Sequence, residues 1–206
     1  MGLIRKITQQ TKNRFLNMYD LEVTHKSGQE SHYFVSSRAE RVEDLKISTK
    51  KNTPDGVIIY SILKEEDGSE KVVLIRQYRY PIDGYIYEFP AGLVDKGENF
   101  AQAAVRELRE ETGLVLEPIP VEEAYEKPYF TTIGMTDESC ATVYGYASGK
   151  MTRKYQEDSE EIEVVLADKE EVRRILREEK VAIMCAYMLM HYLHDEDAFG
   201  FLGREV

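Results

Sequence analysis

The chain has 206 residues, 42% hydrophobic and 32% charged, with a net charge of −11. That length suits one packed domain, or one with an appendage, and 10% aromatics argue against low-complexity disorder. No apolar run reaches the ~18–20 residues of a membrane span, the acidic balance disfavours a nucleic-acid partner, and Cys140 and Cys185 are too few for a disulfide framework or a cysteine zinc site. The opening stretch MGLIRKITQQTKNRF has no apolar core of secretory type, so a reducing, cytoplasmic setting is expected.

Residues 13–26 and 31–37 read as strands around a turn at Ser27-Gly28-Gln29. The polar stretch 38–55 ends in Asn52-Thr53-Pro54-Asp55-Gly56, a strong breaker. Strands follow at 57–63, 72–78 and 85–89, the first two joined through Glu65-Glu66-Asp67-Gly68. The period then changes. Over 99–112, Phe100, Ala103, Ala104, Leu108 and Thr112 recur at helical spacing, with Asn99 as N-cap and Gly113 as the stop. Strands are expected near 122–127, at 139–147 and at 162–166, and helices over 168–178 and 181–194. The pattern predicts a mixed sheet with three helices. A Rossmann unit fits poorly, because strands and helices do not alternate and neither GxGxxG nor GxxxxGK[ST] is present. Residues 1–50 read as an N-terminal β element and 51–206 as the main α/β domain.

The chemistry concentrates in GLVDKGENFAQAAVRELREETGL, residues 92–114. On a helix, Glu107, Glu110 and Glu111 fall on one side, where like charges repel by several tenths of a kcal/mol per pair. A hard divalent cation reverses that cost, and oxygen-only ligands favour Mg²⁺ or Mn²⁺ over zinc. Mg²⁺ bridges phosphate oxygens, which points to a phosphate or diphosphate ester as substrate. The competing reading is a solvated acidic face paired with Arg106 and Arg109.

The full spacing separates the two. Gly92 is followed after five residues by Glu98, after seven more by Arg106-Glu107-Leu108, then by Glu110-Glu111 and Gly113-Leu114. This matches GX5EX7REUXEEXGU, U being aliphatic, without a departure, and the chain resembles the Nudix hydrolases. Residues 75–98, IRQYRYPIDGYIYEFPAGLVDKGE, look like the approach to that motif in the ADP-ribose pyrophosphatase branch.

The resemblance implies a Nudix α/β/α sandwich with a mixed sheet and an N-terminal β-hairpin element, acting as a homodimer in which that hairpin is exchanged. It implies hydrolysis of ADP-ribose or a related nucleotide sugar to a nucleoside monophosphate and a sugar phosphate, with two to three Mg²⁺ or Mn²⁺ ions. By the same resemblance, Glu107 and Glu111 are the principal metal ligands, joined by Glu110 and the Ala91 carbonyl. Arg106 orients the glutamates and Glu98 holds Arg106, while Gly92 and Gly113 shape the motif. A base is implied on the loop before the last strand; Glu160 aligns best and Glu161 is the second choice. Arg79 would meet the phosphates, with Glu88, Leu93 and Met135 among the substrate contacts. Phe15 and Tyr33 would stack on the base, near Arg38.

One position departs from the branch: Ile133 stands where a proline is typical, which leaves GDP-mannose and other nucleotide sugars open. A non-catalytic ADP-ribose sensor is the alternative from a different class, though the motif glutamates are all retained. His191 and His194 lie three apart on a mostly apolar helix and read as packing or surface residues, and Met184, Met188 and Met190 as core filler.

Overall fold

The computed structural model describes residues 2–156 and 161–202. In chain order, strands β1 (Leu3–Gln9), β2 (Asn17–Thr24) and β3 (Glu30–Ser37) precede a one-turn helix, α1 (Lys46–Thr49). Strands β4 (Gly56–Lys64), β5 (Glu70–Arg79), β6 (Gly84–Glu88) and β7 (Ala91–Leu93) lead to helix α2 (Phe100–Thr112). Then come β8 (Val115–Pro118), the short α3 (Glu123–Glu126), β9 (Tyr129–Phe130), β10 (Ser139–Ser148), β11 (Ile162–Ala167), and helices α4 (Lys169–Glu178) and α5 (Ile183–His194). The chain divides into two compact units, Met1–Asp55 with Pro128–Cys140, and Gly56–Lys127 with Ala141–Val206.

In the first unit, β1, β2 and β3 form an antiparallel sheet. Alternate residues Tyr19 and Leu21 of β2 are buried with Leu45, and Ile7, Val23, Val35 and Ile47 pack against them. The turn at Gly28 takes φ 84°, a conformation that favours glycine. Where the sequence predicts a two-stranded hairpin, β1 adds a third strand. Its register shifts between Ile4 and Lys6, and its first four residues are exposed, so period-two alternation is blurred at its source. Residues 128–140, which the sequence assigns to the main domain, belong to this first unit. The Ser36 N–H donates to Met135 O at 2.9 Å, Arg38 Nε pairs with Glu138 at 2.8 Å, and Asp55 N–H donates to Ser139 O at 2.8 Å. Such links span about a hundred residues of chain, and local pattern carries no trace of them.

The second unit is built on a mixed sheet with path β11-β5-β4-β10-β8, β6 beside β5 and β7 beside β4; the two-residue β9 pairs with Ser139 and Cys140, at the start of β10, within the first unit. Strand β4 shows why it has helices on both faces. Val57, Ile59 and Leu63 join the cluster holding Ala103, Ala104 and Leu108 of α2. Tyr60 and Ile62 join the opposite cluster with Val172 and Ile175 of α4 and Cys185 and Leu189 of α5. A strand covered on both faces reads as a nearly unbroken apolar run, as VIIYSIL does. The expected strand near 122–127 is instead α3, with Lys127 N–H donating to Glu123 O at 2.9 Å, and the strand beside β10 is β8, earlier in sequence. In VEEAYEK the apolar residues Val121, Ala124 and Tyr125 stand at i, i+3 and i+4, a helical spacing, and Tyr125 packs against the core from a single turn. No helix among the described residues is long and apolar enough to cross a membrane.

Ser61 interrupts that run in β4. It is fully buried, and its Oγ has no hydrogen-bond partner among the described residues. Burial of an unsatisfied hydroxyl costs stability. Ser61→Ala is therefore expected to raise stability by about 1 kcal/mol, read as a rise of about 2–4 °C in Tm. An unchanged or lowered melting temperature would show that the hydroxyl is satisfied.

Candidate active site

Helix α2 is fixed at both ends. At its start, the Asn99 side chain accepts from Gln102 N–H at 2.9 Å while the Gln102 side chain accepts from Asn99 N–H at 3.1 Å, a reciprocal cap. At its end, Gly113 takes φ 80° and its N–H donates to Arg109 O. A Cβ on Gly113 would collide with Thr152, whose backbone comes in to donate its N–H to Thr112 O at 2.9 Å. Gln156 Nε2 donates to the carbonyl of Glu111 at 2.6 Å. Thr152 and Gln156 thus hold the end of the acidic helix from outside the motif. The sequence reading missed both, since neither sits in a recognisable spacing.

Arg106 is the hub. Its Nη2 lies 2.9 Å from Glu98 and 3.0 Å from Leu93 O, and its Nε is 3.2 Å from the second Glu98 oxygen. Its Nη1 reaches Glu107 at 2.8 Å and Glu110 at 3.0 Å. A planar fork serves this geometry as an ammonium could not. The guanidinium holds the Glu98 carboxyl below its ordinary pKa, and the carboxylates in turn keep Arg106 firmly charged. Glu111 is buried, at 2% exposure, and its Oε2 accepts from Ala91 N–H at 3.1 Å. Gly92 admits the Glu107 carboxylate so closely that a Cβ there would overlap it. Structure thus gathers Ala91, Gly92, Leu93, Glu98, Arg106, Glu107, Glu110 and Glu111 between β7 and α2. The link at Ala91 runs through its amide N–H; the implied metal contact is its carbonyl.

Glutamates and backbone carbonyls are hard oxygen donors, and in kind they fit Mg²⁺ or Mn²⁺. Among the described residues, no group of three or more His, Cys, Asp or Glu side chains stands in metal-binding geometry. Glu107 and Glu110 instead share one nitrogen of Arg106.

On β5 and β6, Arg79 Nε pairs with Glu88 at 2.7 Å. Glu161 accepts a hydrogen bond from the Tyr85 hydroxyl, which raises the Tyr85 pKa, and the Arg76 guanidinium lies 4.1 Å over the Tyr85 ring. Glu160 lies outside the described residues. The other expected substrate contacts belong to the first unit. Phe15 is exposed beneath the Arg14 guanidinium, 4.8 Å from its ring. The Tyr33 hydroxyl donates to Gly134 O at 2.7 Å, Arg38 is paired with Glu138, and Met135 is exposed.

The NUDIX domain family matches residues 52–186. An ADP-ribose pyrophosphatase of Saccharomyces cerevisiae is 50% identical over 60 residues, 29% of this chain and 26% of that protein. An ADP-sugar pyrophosphatase of Mus musculus is 42% identical over 72 residues, 34% of this chain and 33% of that protein. The matched stretches thus span about a quarter to a third of these relatives. A crystal structure of an ADP compounds hydrolase superposes with a TM-score of 0.61 at 17% identity, covering 86% of this chain and 83% of that one, which shows a shared fold.

Proposed function

The chain belongs to the NUDIX domain family, and on that premise we propose that it hydrolyses the diphosphate bond of ADP-ribose or a related nucleotide sugar to a nucleoside monophosphate and a sugar phosphate. The observation that carries this reading is the Arg106 hub, which keeps Glu98, Glu107 and Glu110 together beside the buried Glu111. The yeast and mouse relatives, by name an ADP-ribose and an ADP-sugar pyrophosphatase, support the substrate class.

Glu107, Glu110, Glu111 and the Ala91 carbonyl would hold Mg²⁺ or Mn²⁺, two to three ions in all, whose chemistry is to polarise phosphoryl oxygens and acidify water. Arg106 sets the orientation of the glutamates and offsets their mutual repulsion before a substrate arrives. Glu161 or Glu160 takes the proton of the attacking water; Glu161 is held in place by the Tyr85 hydroxyl. Arg79 would bind phosphate through its fork, on leaving Glu88. Phe15 and Tyr33, with Arg38, Leu93 and Met135, complete the substrate contacts, and aromatic faces stack on any base at roughly 1–3 kcal/mol. The first unit serves as the dimerising element of a homodimer, and two free cysteines suit a reducing, cytoplasmic setting. Ile133 in the usual proline position favours a second reading, in which GDP-mannose or another nucleotide sugar is preferred.

Steady-state hydrolysis across ADP-ribose, ADP-glucose and GDP-mannose, with product identification, tests the proposal. Turnover of ADP-ribose to AMP and ribose 5-phosphate is expected; turnover of none of the three would overturn it. Gly92→Ala is expected to lower that turnover about a hundredfold by displacing the Glu107 carboxylate. Wild-type rates in that variant would show that Glu107 tolerates displacement.

A further inference from the structure

The first unit contains a cavity whose lining, Tyr33 apart, includes none of the proposed substrate contacts. Its volume is about 420 Å³, within the ~300–1,000 Å³ of small-molecule sites. Leu21, Val35, Leu45, Ile47, Phe130 and Ile133 supply an apolar wall. The polar groups among the lining are engaged within the unit. The Tyr33 hydroxyl donates to Gly134 O at 2.7 Å, and Asn52 Nδ2 donates to Pro128 O at 2.9 Å. Lys46 Nζ pairs with Asp55 at 2.7 Å, and Asp137 accepts from the Lys46 backbone N–H at 3.3 Å. Lys50 and Lys51 also line the cavity; both are exposed, and among the described residues neither is in an ion pair. On a chain of net charge −11, two adjacent lysines beside an apolar hollow form a local positive site.

We propose that this cavity binds a medium-chain acyl carboxylate, its hydrocarbon against the aliphatic wall and its head group at Lys50 and Lys51. A nucleobase suits the wall less well, because its polar edge would be buried against Leu21, Val35, Leu45 and Ile47, which offer no hydrogen bond. An alkyl chain needs no such partner, and each methylene buried adds to binding. Asp137 is the one acid among the lining residues, so the balance with Lys50 and Lys51 remains positive once Lys46 is neutralised by Asp55.

The test is methyl-labelled NMR of the full chain, titrated with hexanoate, octanoate and decanoate. Saturable shifts are expected at the methyl groups of Leu21, Val35, Leu45, Ile47 and Ile133, with affinity rising about fourfold per methylene. The Lys50→Glu/Lys51→Glu double variant is expected to weaken decanoate about tenfold while leaving 1-decanol unaffected. No shift at these methyls, or affinity independent of chain length, would overturn the proposal. So would shifts confined to exposed methyls such as Ile183, or shifts that follow protein concentration alone and reveal a second copy in the cavity. The cavity and the hydrolytic site are tested separately: hydrolysis without these shifts refutes only the cavity, and shifts without hydrolysis refute only the enzyme reading.

Discussion

Glu111→Gln is expected to lower turnover of ADP-ribose by about three orders of magnitude, the loss of several kcal/mol of charge stabilisation at the reacting phosphate, while the melting temperature stays within about 3 °C of the parent. Glu111 is buried at 2% exposure, on the last turn of α2, with its carbonyl held by Gln156 and its carboxylate by Ala91 N–H. Glutamine keeps the shape and an oxygen that can still accept from Ala91. It loses the anion, and with it much of the affinity for a hard cation. Burying a neutral amide in place of a carboxylate also lowers the desolvation cost, so the fold has no reason to weaken. Parallel kinetics and thermal denaturation make the distinction. Near-parental turnover would remove Glu111 from the metal site; unfolding would make it structural.

Arg106→Ala should instead damage stability and catalysis together. Arg106 is 29% exposed and connects three glutamates and a backbone carbonyl. Its loss leaves partly buried carboxylates facing one another, for which about 2 kcal/mol is expected after allowing for water access, or about 6 °C in Tm. Turnover should fall about a hundredfold as Glu107 and Glu110 lose their alignment. Arg106→Lys should recover less than half of the stability, because one ammonium cannot span the same contacts.

The sign of the pH effect follows from Glu98. Its carboxyl is held below its unfolded pKa by Arg106. Such a group contributes stability that is present above the unfolded value, about 4.3, and is lost as pH falls through the folded one. The parent should therefore lose stability on acidification below about pH 4.3 more steeply than Arg106→Ala does. Equal acid limbs in urea denaturation across that range would show that Arg106 does not couple to Glu98.

The acidic cluster on α2 was legible because its residues lie in one loop and one helix. Gly92 through Leu114 fixes the cap at Asn99, the stop at Gly113, the Arg106 hub and the carboxylates, all at short spacing that α-helical geometry turns into proximity. The apolar run of β4 likewise announced a strand, and the structure covers both its faces. What was not legible depends on distant partners. Residues 128–140 belong with the N-terminal strands through Ser36, Arg38 and Asp55, contacts that no local period encodes. Thr152 and Gln156 support α2 from some forty residues downstream, in a polar loop without pattern. At α3, Val121, Ala124 and Tyr125 stand at helical spacing, but the turn is too short for that period to outweigh its flanking strands.

The central claim is that the acidic face of α2 gathers hard divalent cations. Titration of the intact protein with Mn²⁺, followed by electron paramagnetic resonance of the free ion, tests it most directly. Saturable binding that Mg²⁺ displaces and Glu111→Gln weakens at least tenfold is predicted. Mn²⁺ that stays free in the presence of the protein, or binds the Glu111→Gln chain equally well, would contradict it.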